Sequence, residues 1–213
     1  TNTVDPLSFK QAVKQDHWVD AMNKELAALE ENRTWEITTL PANKKAIACK
    51  WVFKTKFNPD GTIERHKARL VILGCKQVYG VDYLETFAPV AKLTTVRTLL
   101  AVAAIQDWFV IQMDVTNAFL HGDLQEIIYM KFPQGYTGLG SRIAYNQTEL
   151  TTNGGQTFVC KLIKSLYGLR QSPRRWFSKL SETLLSWEYH QSKTDYSLFT
   201  KTTESTIILV LVY

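Results

Sequence analysis

At 213 residues, 45% hydrophobic and 21% charged, the chain has the composition of a folded protein and excludes a disordered or low-complexity one. Its longest apolar runs have seven residues, far short of the ~20 that cross a bilayer; Cys49, Cys75 and Cys160 share no close spacing, which argues against a disulfide framework or a zinc site. The net charge of +5 is unevenly placed: residues 44–76 carry nine Lys or Arg against Asp60 and Glu64, residues 161–180 carry six and no acid, and the remainder is acidic. Two basic islands on an acidic body suggest a polyanionic partner with a defined docking surface.

Taken in order, the chain opens with no signal-peptide pattern, and a reducing compartment is expected. Trp18, Met22, Leu26 and Leu29 recur at helical spacing with Asp20, Lys24 and Glu25 between them, and Asp16 is placed to cap this helix. Residues 51–57 alternate, Asn58-Pro59-Asp60-Gly61 is a turn sequence, and residues 62–73 alternate again, so a β-hairpin is predicted. Strand geometry puts Trp51, Phe53, Thr55 and Phe57 on one face, Lys54 and Lys56 on the other, and Arg65, Lys67 and Arg69 together. A lysine-protected edge strand explains the charge, whereas phosphate contact also explains its one-sidedness.

Residues 74–90 read as a loop. Thr94 or Thr95 is then predicted to cap a helix running to about Gln106, with Val96, Leu99, Leu100 and Ala103 inward. Period-two alternation over residues 109–114 predicts a strand ending at Asp114, followed by the small and polar group Thr116-Asn117-Ala118 and then Phe119. A carboxylate at a strand end can hold a divalent cation or can cap the turn that follows, and both readings stand here. Residues 127–132 are a short strand candidate, and residues 135–157 read as a long surface loop. Residues 159–166 alternate loosely. Ser172 and Pro173 are placed as cap and first residue of a helix that carries Trp176, Phe177, Leu180, Leu184 and Trp187 inward. A hairpin of residues 196–202 and 206–213 closes the chain, its second strand apolar enough to be central and covered on both faces. Its abrupt stop at Tyr213 suggests that the molecule continues in its natural context.

Five stretches in order resemble the reverse transcriptases of Ty1/copia-type retrotransposons. They are Asp16-His17-Trp18-Val19 with ALEENRTWEI, then KWVFKTKFNPDGTIERHKARLV, GVDYLETFAPVAKLTTVRTLLAVAA, MDVTNAFLHGDL, and VCKLIKSLYGLRQSPRRWF. The resemblance implies an α+β right-hand polymerase with a fingers β-hairpin and an antiparallel palm sheet flanked by helices. Residues 1–45 would form a helical arm, 46–88 and 122–167 the fingers, and 89–121 and 168–213 an incomplete palm, with thumb and ribonuclease H absent. It also implies RNA-directed DNA synthesis by a two-metal mechanism with two Mg²⁺ ions.

Asp114 matches the first metal-binding aspartate and Phe119 the aromatic under the sugar of the incoming nucleotide. Val115, Thr116, Asn117 and Ala118 would offer backbone amides to the triphosphate. Lys67 and Arg69 match the basic strand over that triphosphate. Tyr167, Gly168, Gln171 and Pro173 match the loop and helix start that support nucleotide and template, and Arg174 and Arg175 would meet the nucleic-acid backbone. Implied partners are an RNA or DNA template with primer, dNTPs, and the integrase and ribonuclease H portions of a polyprotein, with no membrane. The implied setting is intracellular, in the cytoplasm within a virus-like particle or in the nucleus.

The family's other two aspartates follow the tyrosine that Tyr213 matches, so the polypeptide as given is expected to lack polymerase activity. A non-catalytic nucleic-acid-binding relic is the alternative. Leu73 and Leu84 depart from the family's usual arginine and acid, and residues 135–157 are longer than its usual loop.

Overall fold

A computed structural model describes residues 4–138, 140, 143, 152–153 and 156–213. The alternating stretches of the basic island form a two-stranded antiparallel ribbon, β3 (Cys49–Phe57) and β4 (Ile63–Ile72), in which Val52 faces Arg69, Lys54 faces Lys67 and Lys56 faces Arg65. The five basic residues therefore share one face, while Trp51, Phe53 and Thr55 are buried on the other. A helix lies against the ribbon: α2 (Asp16–Glu31) packs on β4, with Trp18 edge-on to Phe53 and Met22, Leu26 and Leu29 in the same core. A single-turn helix, α1 (Phe9–Ala12), precedes it.

Two features of α2 differ from expectation. Asp16 is its first helical residue, not its cap; Gln15 stands at the cap without a side-chain hydrogen bond, and the Asp16 carboxylate suits the positive end of the helix dipole. Glu25, expected on the polar side, is buried.

The main sheet runs β1 (Trp35–Thr39), β7 (Gln156–Lys164), β5 (Asp123–Met130) and β2 (Ala46–Ile47), with the short β6 (Thr152–Asn153) also on β7. Its pairs are antiparallel except β2 with β5. Strands β1 and β2 lie where no strand was predicted, β1 within the residues assigned to a helical arm. Much of the predicted 135–157 loop falls outside the described residues, but Tyr136 is buried in the core and Gln156 already belongs to β7.

A second, smaller core forms around Phe177, Leu184 and Phe199. Helix α3 (Leu93–Ile105) begins after Lys92, so neither Thr94 nor Thr95 is its cap residue. The Asp195 carboxylate takes that part: its Oδ2 accepts the Lys92 backbone N–H at 3.1 Å and the Thr95 hydroxyl at 2.6 Å. Helix α4 (Ser172–Ser186) starts one residue earlier than predicted, with Gln171 as cap and Pro173 in its first turn; the Ser172 hydroxyl donates to the Leu166 carbonyl at 2.7 Å. Trp187, expected inward, is 60% exposed because the helix has ended before it.

The final hairpin joins a three-stranded antiparallel sheet of β8 (His190–Gln191), β9 (Leu198–Thr202) and β10 (Ile207–Leu211). Strand β10 lies at its edge, not at its centre, and Ile207 and Ile208 are exposed. The strand predicted to end at Asp114 does not form. Residues 108–115 are irregular and belong to no sheet, and Phe109, Ile111 and Met113 are exposed along with Val110. Alternation supplies a face, whereas a strand also needs a backbone partner, and this segment pairs with none among the described residues. It shares with α3 and β10 an apolar cavity of about 910 Å³.

Candidate functional site

The site is built where the end of β4 meets residues 165–171, between β7 and α4. The Ile72 backbone N–H donates to the Tyr167 carbonyl at 2.9 Å, tying the loop to the strand. Two glycines allow the approach. Gly168 has φ +95°, and a Cβ there would stand 2.2 Å from the Ile72 oxygen; a Cβ on Gly74 would stand 1.9 Å from the Gly168 oxygen. Any side chain at either position would push the strands apart.

This crossing sets Tyr167 beneath the basic face of the ribbon. The Arg69 guanidinium lies over the Tyr167 ring, 4.7 Å from its centroid, and Phe119 packs edge-on against the same ring at 5.0 Å. Phe119 stands in a short 3₁₀ turn, Ala118–His121, entered through Asn117 in the left-handed conformation (φ 53°) and anchored by buried Leu120. Burial pushes the Tyr167 hydroxyl above its ordinary pKa; Arg69 opposes this, while the charges of Glu25 and Asp114 add to it. Asp114, exposed on the irregular segment after α3, thus lies within electrostatic reach of Tyr167. Lys67 shares the face with Arg69, and burial together with the neighbouring Arg69 and Arg65 lowers its pKa.

Of the residues singled out from the sequence, Arg69, Phe119, Tyr167 and Gly168 are in one place, with Lys67 and Asp114 at its margins. The backbone N–H groups of Val115, Thr116, Asn117 and Ala118 donate to no group among the described residues.

The helix-start residues require correction. Gln171 is fully buried: Gln77 Nε2 donates to its Oε1 at 3.0 Å, and its own Nε2 donates to the Asp82 carbonyl at 2.9 Å. It organises the loop beneath the site and has no free surface for nucleic acid. Arg170 completes that network, its backbone N–H donating to Gln77 Oε1 and its Nε to the Gly74 carbonyl. Gln77 and Asp82 were missed in the sequence, where nothing local marks a partner some 90 positions away.

Arg175 points inward to Glu126 at 2.8 Å, with less than a fifth of either side chain exposed, and is not available to a polyanion. Arg174 pairs with exposed Glu85, and Pro173 is exposed. Among the described residues no three His, Cys, Asp or Glu stand together as a metal site. Asp114 alone offers one carboxylate, which does not make a two-ion site.

The comparisons with known proteins agree with the motifs. The reverse transcriptase (RNA-dependent DNA polymerase) family model matches residues 32–213. The retrovirus-related Pol polyprotein from transposon TNT 1-94 of Nicotiana tabacum is 39% identical over 213 residues, covering 98% of this chain and 15% of that polyprotein. Those from transposons RE1 and RE2 of Arabidopsis thaliana are 39% and 40% identical over 210 residues, again 98% of this chain and 13% and 14% of theirs. The chain therefore spans only about a seventh of the curated relatives it matches. No solved structure matches. With its motifs in order and a family match from Asn32 to Tyr213, the chain belongs to the reverse transcriptase family, in the type carried by Ty1/copia transposons.

Proposed function

We propose that this chain supplies the fingers and part of the palm of an RNA-directed DNA polymerase, and that the surface around Tyr167 receives the incoming dNTP. The observation that carries the reading is the Arg69–Tyr167–Phe119 stack beside Asp114. Arg69 and Lys67 place two cations over a triphosphate, Phe119 offers a flat apolar wall to the sugar, and the unengaged amides of residues 115–118 face the same anion. Tyr167 fixes Arg69 through its ring, so the cation is positioned before the ligand arrives.

In favour of a division into fingers (46–88, 122–167) and palm (89–121, 168–213) stand two separate cores, one including the ribbon and main sheet together with Leu120 and Leu169 from the palm side, the other α4 and β9. The basic face of the ribbon is the surface offered to a primer and its RNA or DNA template. Integrase and ribonuclease H would come from other parts of the polyprotein. A divalent ion, Mg²⁺ in this reading, would neutralise charge on the reacting phosphates when bound. Asp114 is the ligand this chain would offer to it; the described residues do not complete the site, and no step is assigned through it.

The lone carboxylate favours a second reading for these 213 residues by themselves, a nucleic-acid-binding unit without chemistry. Primer extension separates the two: no templated synthesis is expected from the 213 residues, and Mg²⁺-dependent extension would overturn that expectation. Primer–template binding tests the shared part. Replacing Lys67 and Arg69 together by Ala is expected to weaken duplex DNA binding and flatten the slope of log K against log salt by about 1.8, the loss of two phosphate contacts. An unchanged slope would remove both residues from the site.

A further inference from the structure

Helix α2 precedes the region matched by the family model, yet it delivers a buried carboxylate to the basic strand. Glu25 is 8% exposed, between Met22 and Leu29 on the face packed against β4. Its Oε1 has no hydrogen-bond partner among the described residues, and neither has the buried Nε of Arg69. An ionised carboxylate in such a place persists only if charge faces it. The charges that do are Arg69 and Lys67 of β4, and the Leu70 amide also bonds to the carboxylate; the uncharged Tyr167 hydroxyl, on the loop between β7 and α4, is within its electrostatic reach. Arg65 and Lys56 act in turn on Lys67, and Asp114 on Tyr167. Arg69 thus lies over the Tyr167 ring and within electrostatic reach of Glu25, in a site where a triphosphate would add further negative charge.

We propose that Glu25 is a positioning residue, the resident counter-charge of Arg69 and Lys67, holding Arg69 against Tyr167 and competing with the triphosphate of an incoming nucleotide for the same two cations. This rests on the reading of that surface as the nucleotide site. The competition has a proton attached to it. Burial already raises the Glu25 pKa, against the pull of the Leu70 amide, Arg69 and Lys67. A bound triphosphate neutralises those cations and repels the carboxylate, so the Glu25 pKa rises further and one proton passes from solvent to the carboxylate. A ligand that raises a group's pKa binds its protonated form more tightly. Affinity therefore increases as pH falls through the Glu25 range.

The test measures binding of dTTP to the full 213-residue chain by calorimetry between pH 5.5 and 8.5. Wild type, E25Q, R69Q and E25Q/R69Q are compared, and titration of the ligand's own phosphate is common to all four. E25Q keeps the shape and removes the charge. It is expected to bind roughly three- to tenfold more tightly than wild type at pH 8, from the removal of a nearby like charge, and to lose the protein's part of the pH dependence. In the R69Q background E25Q is expected to change little, because its effect runs through Arg69.

E25Q binding equal to or weaker than wild type at every pH, with R69Q weakened, would overturn the counter-charge role and leave the nucleotide site standing. R69Q binding as well as wild type, or no dTTP binding by wild type, would overturn the nucleotide site itself and this role with it. Should E25Q not fold, the pH profiles of wild type and R69Q decide: the proton-linked part is expected in the first and absent from the second, and identical profiles overturn the proposal.

Discussion

The core around α2 and the β3–β4 ribbon and the core around α4 and β9 are built from similar patterns of apolar residues and end in different states. In the first, Trp18, Leu70, Met130 and Leu166 are each almost wholly removed from water, because a helix closes one face of the ribbon and four strands close the main sheet. In the second, three residues are buried, while Phe109 is 93% exposed and β10 has a neighbour on one edge only. Apolar periodicity states which face a segment would bury. Burial itself requires an opposing surface at the right distance, and only the first region provides one throughout.

Substitutions can break this contrast. Trp18→Ala removes the most deeply buried of the three indoles of the first core, and its contacts with Phe53 and His66, and is expected to cost about 3–5 kcal/mol in urea denaturation. A cost near that of a surface change would mean that α2 is not integral to the ribbon.

In the second region the largest local loss is expected from Asp195→Ala, which removes the carboxylate at the start of α3, about 1 kcal/mol on the scale of helix caps. Its pH dependence sharpens the assignment. Hydrogen bonds from Ser197 and Thr95, then from the Lys92 amide, hold Asp195 well below the usual carboxylate range. Its contribution is therefore fully present above the unfolded value of about 3.9 and lost as pH falls toward the depressed folded value. The gap between wild type and variant is expected to be constant from neutrality to mild acid and to narrow below that value. Denaturation curves whose gap does not narrow there would reassign the effect to packing.

Least of all is expected from Ile111→Ser on the exposed segment, within about 0.5 kcal/mol by the same denaturation measurement. A loss comparable to that of Trp18→Ala would show that the segment is buried in solution.

The sequence showed the fold best where one period repeats within one element. The ribbon, its turn and the common side of Lys54, Lys56, Arg65, Lys67 and Arg69 follow from a period of two, and α2 from Trp18, Met22, Leu26 and Leu29. The same period misled at residues 109–114, where no strand among the described residues pairs with them. Features that depend on distant partners were invisible: Asp195 at α3, Gln77 on Gln171, and Glu25 drawn under β4. In the candidate site, motif resemblance singled out Arg69, Phe119, Tyr167 and Gly168 individually. Their stacking came from the chain crossing at Gly74 and Gly168, which no local pattern encodes.

The Asp195 contact also bears on the order of events during synthesis. Residues of α3 leave the ribosome about a hundred positions ahead of the carboxylate that completes their first turn, roughly 5–20 s earlier at ordinary elongation rates. Through that interval the start of α3 is uncapped; Leu93, Leu100 and Ile105 are open to water in the finished fold as well. Helix α2 and the ribbon wait less, since both emerge within the first 72 residues, while the main-sheet part of their core arrives later with Met130, Leu162 and Leu166. A nascent chain would thus hold a joined α2 and ribbon beside an α3 whose first turn still lacks its carboxylate partner.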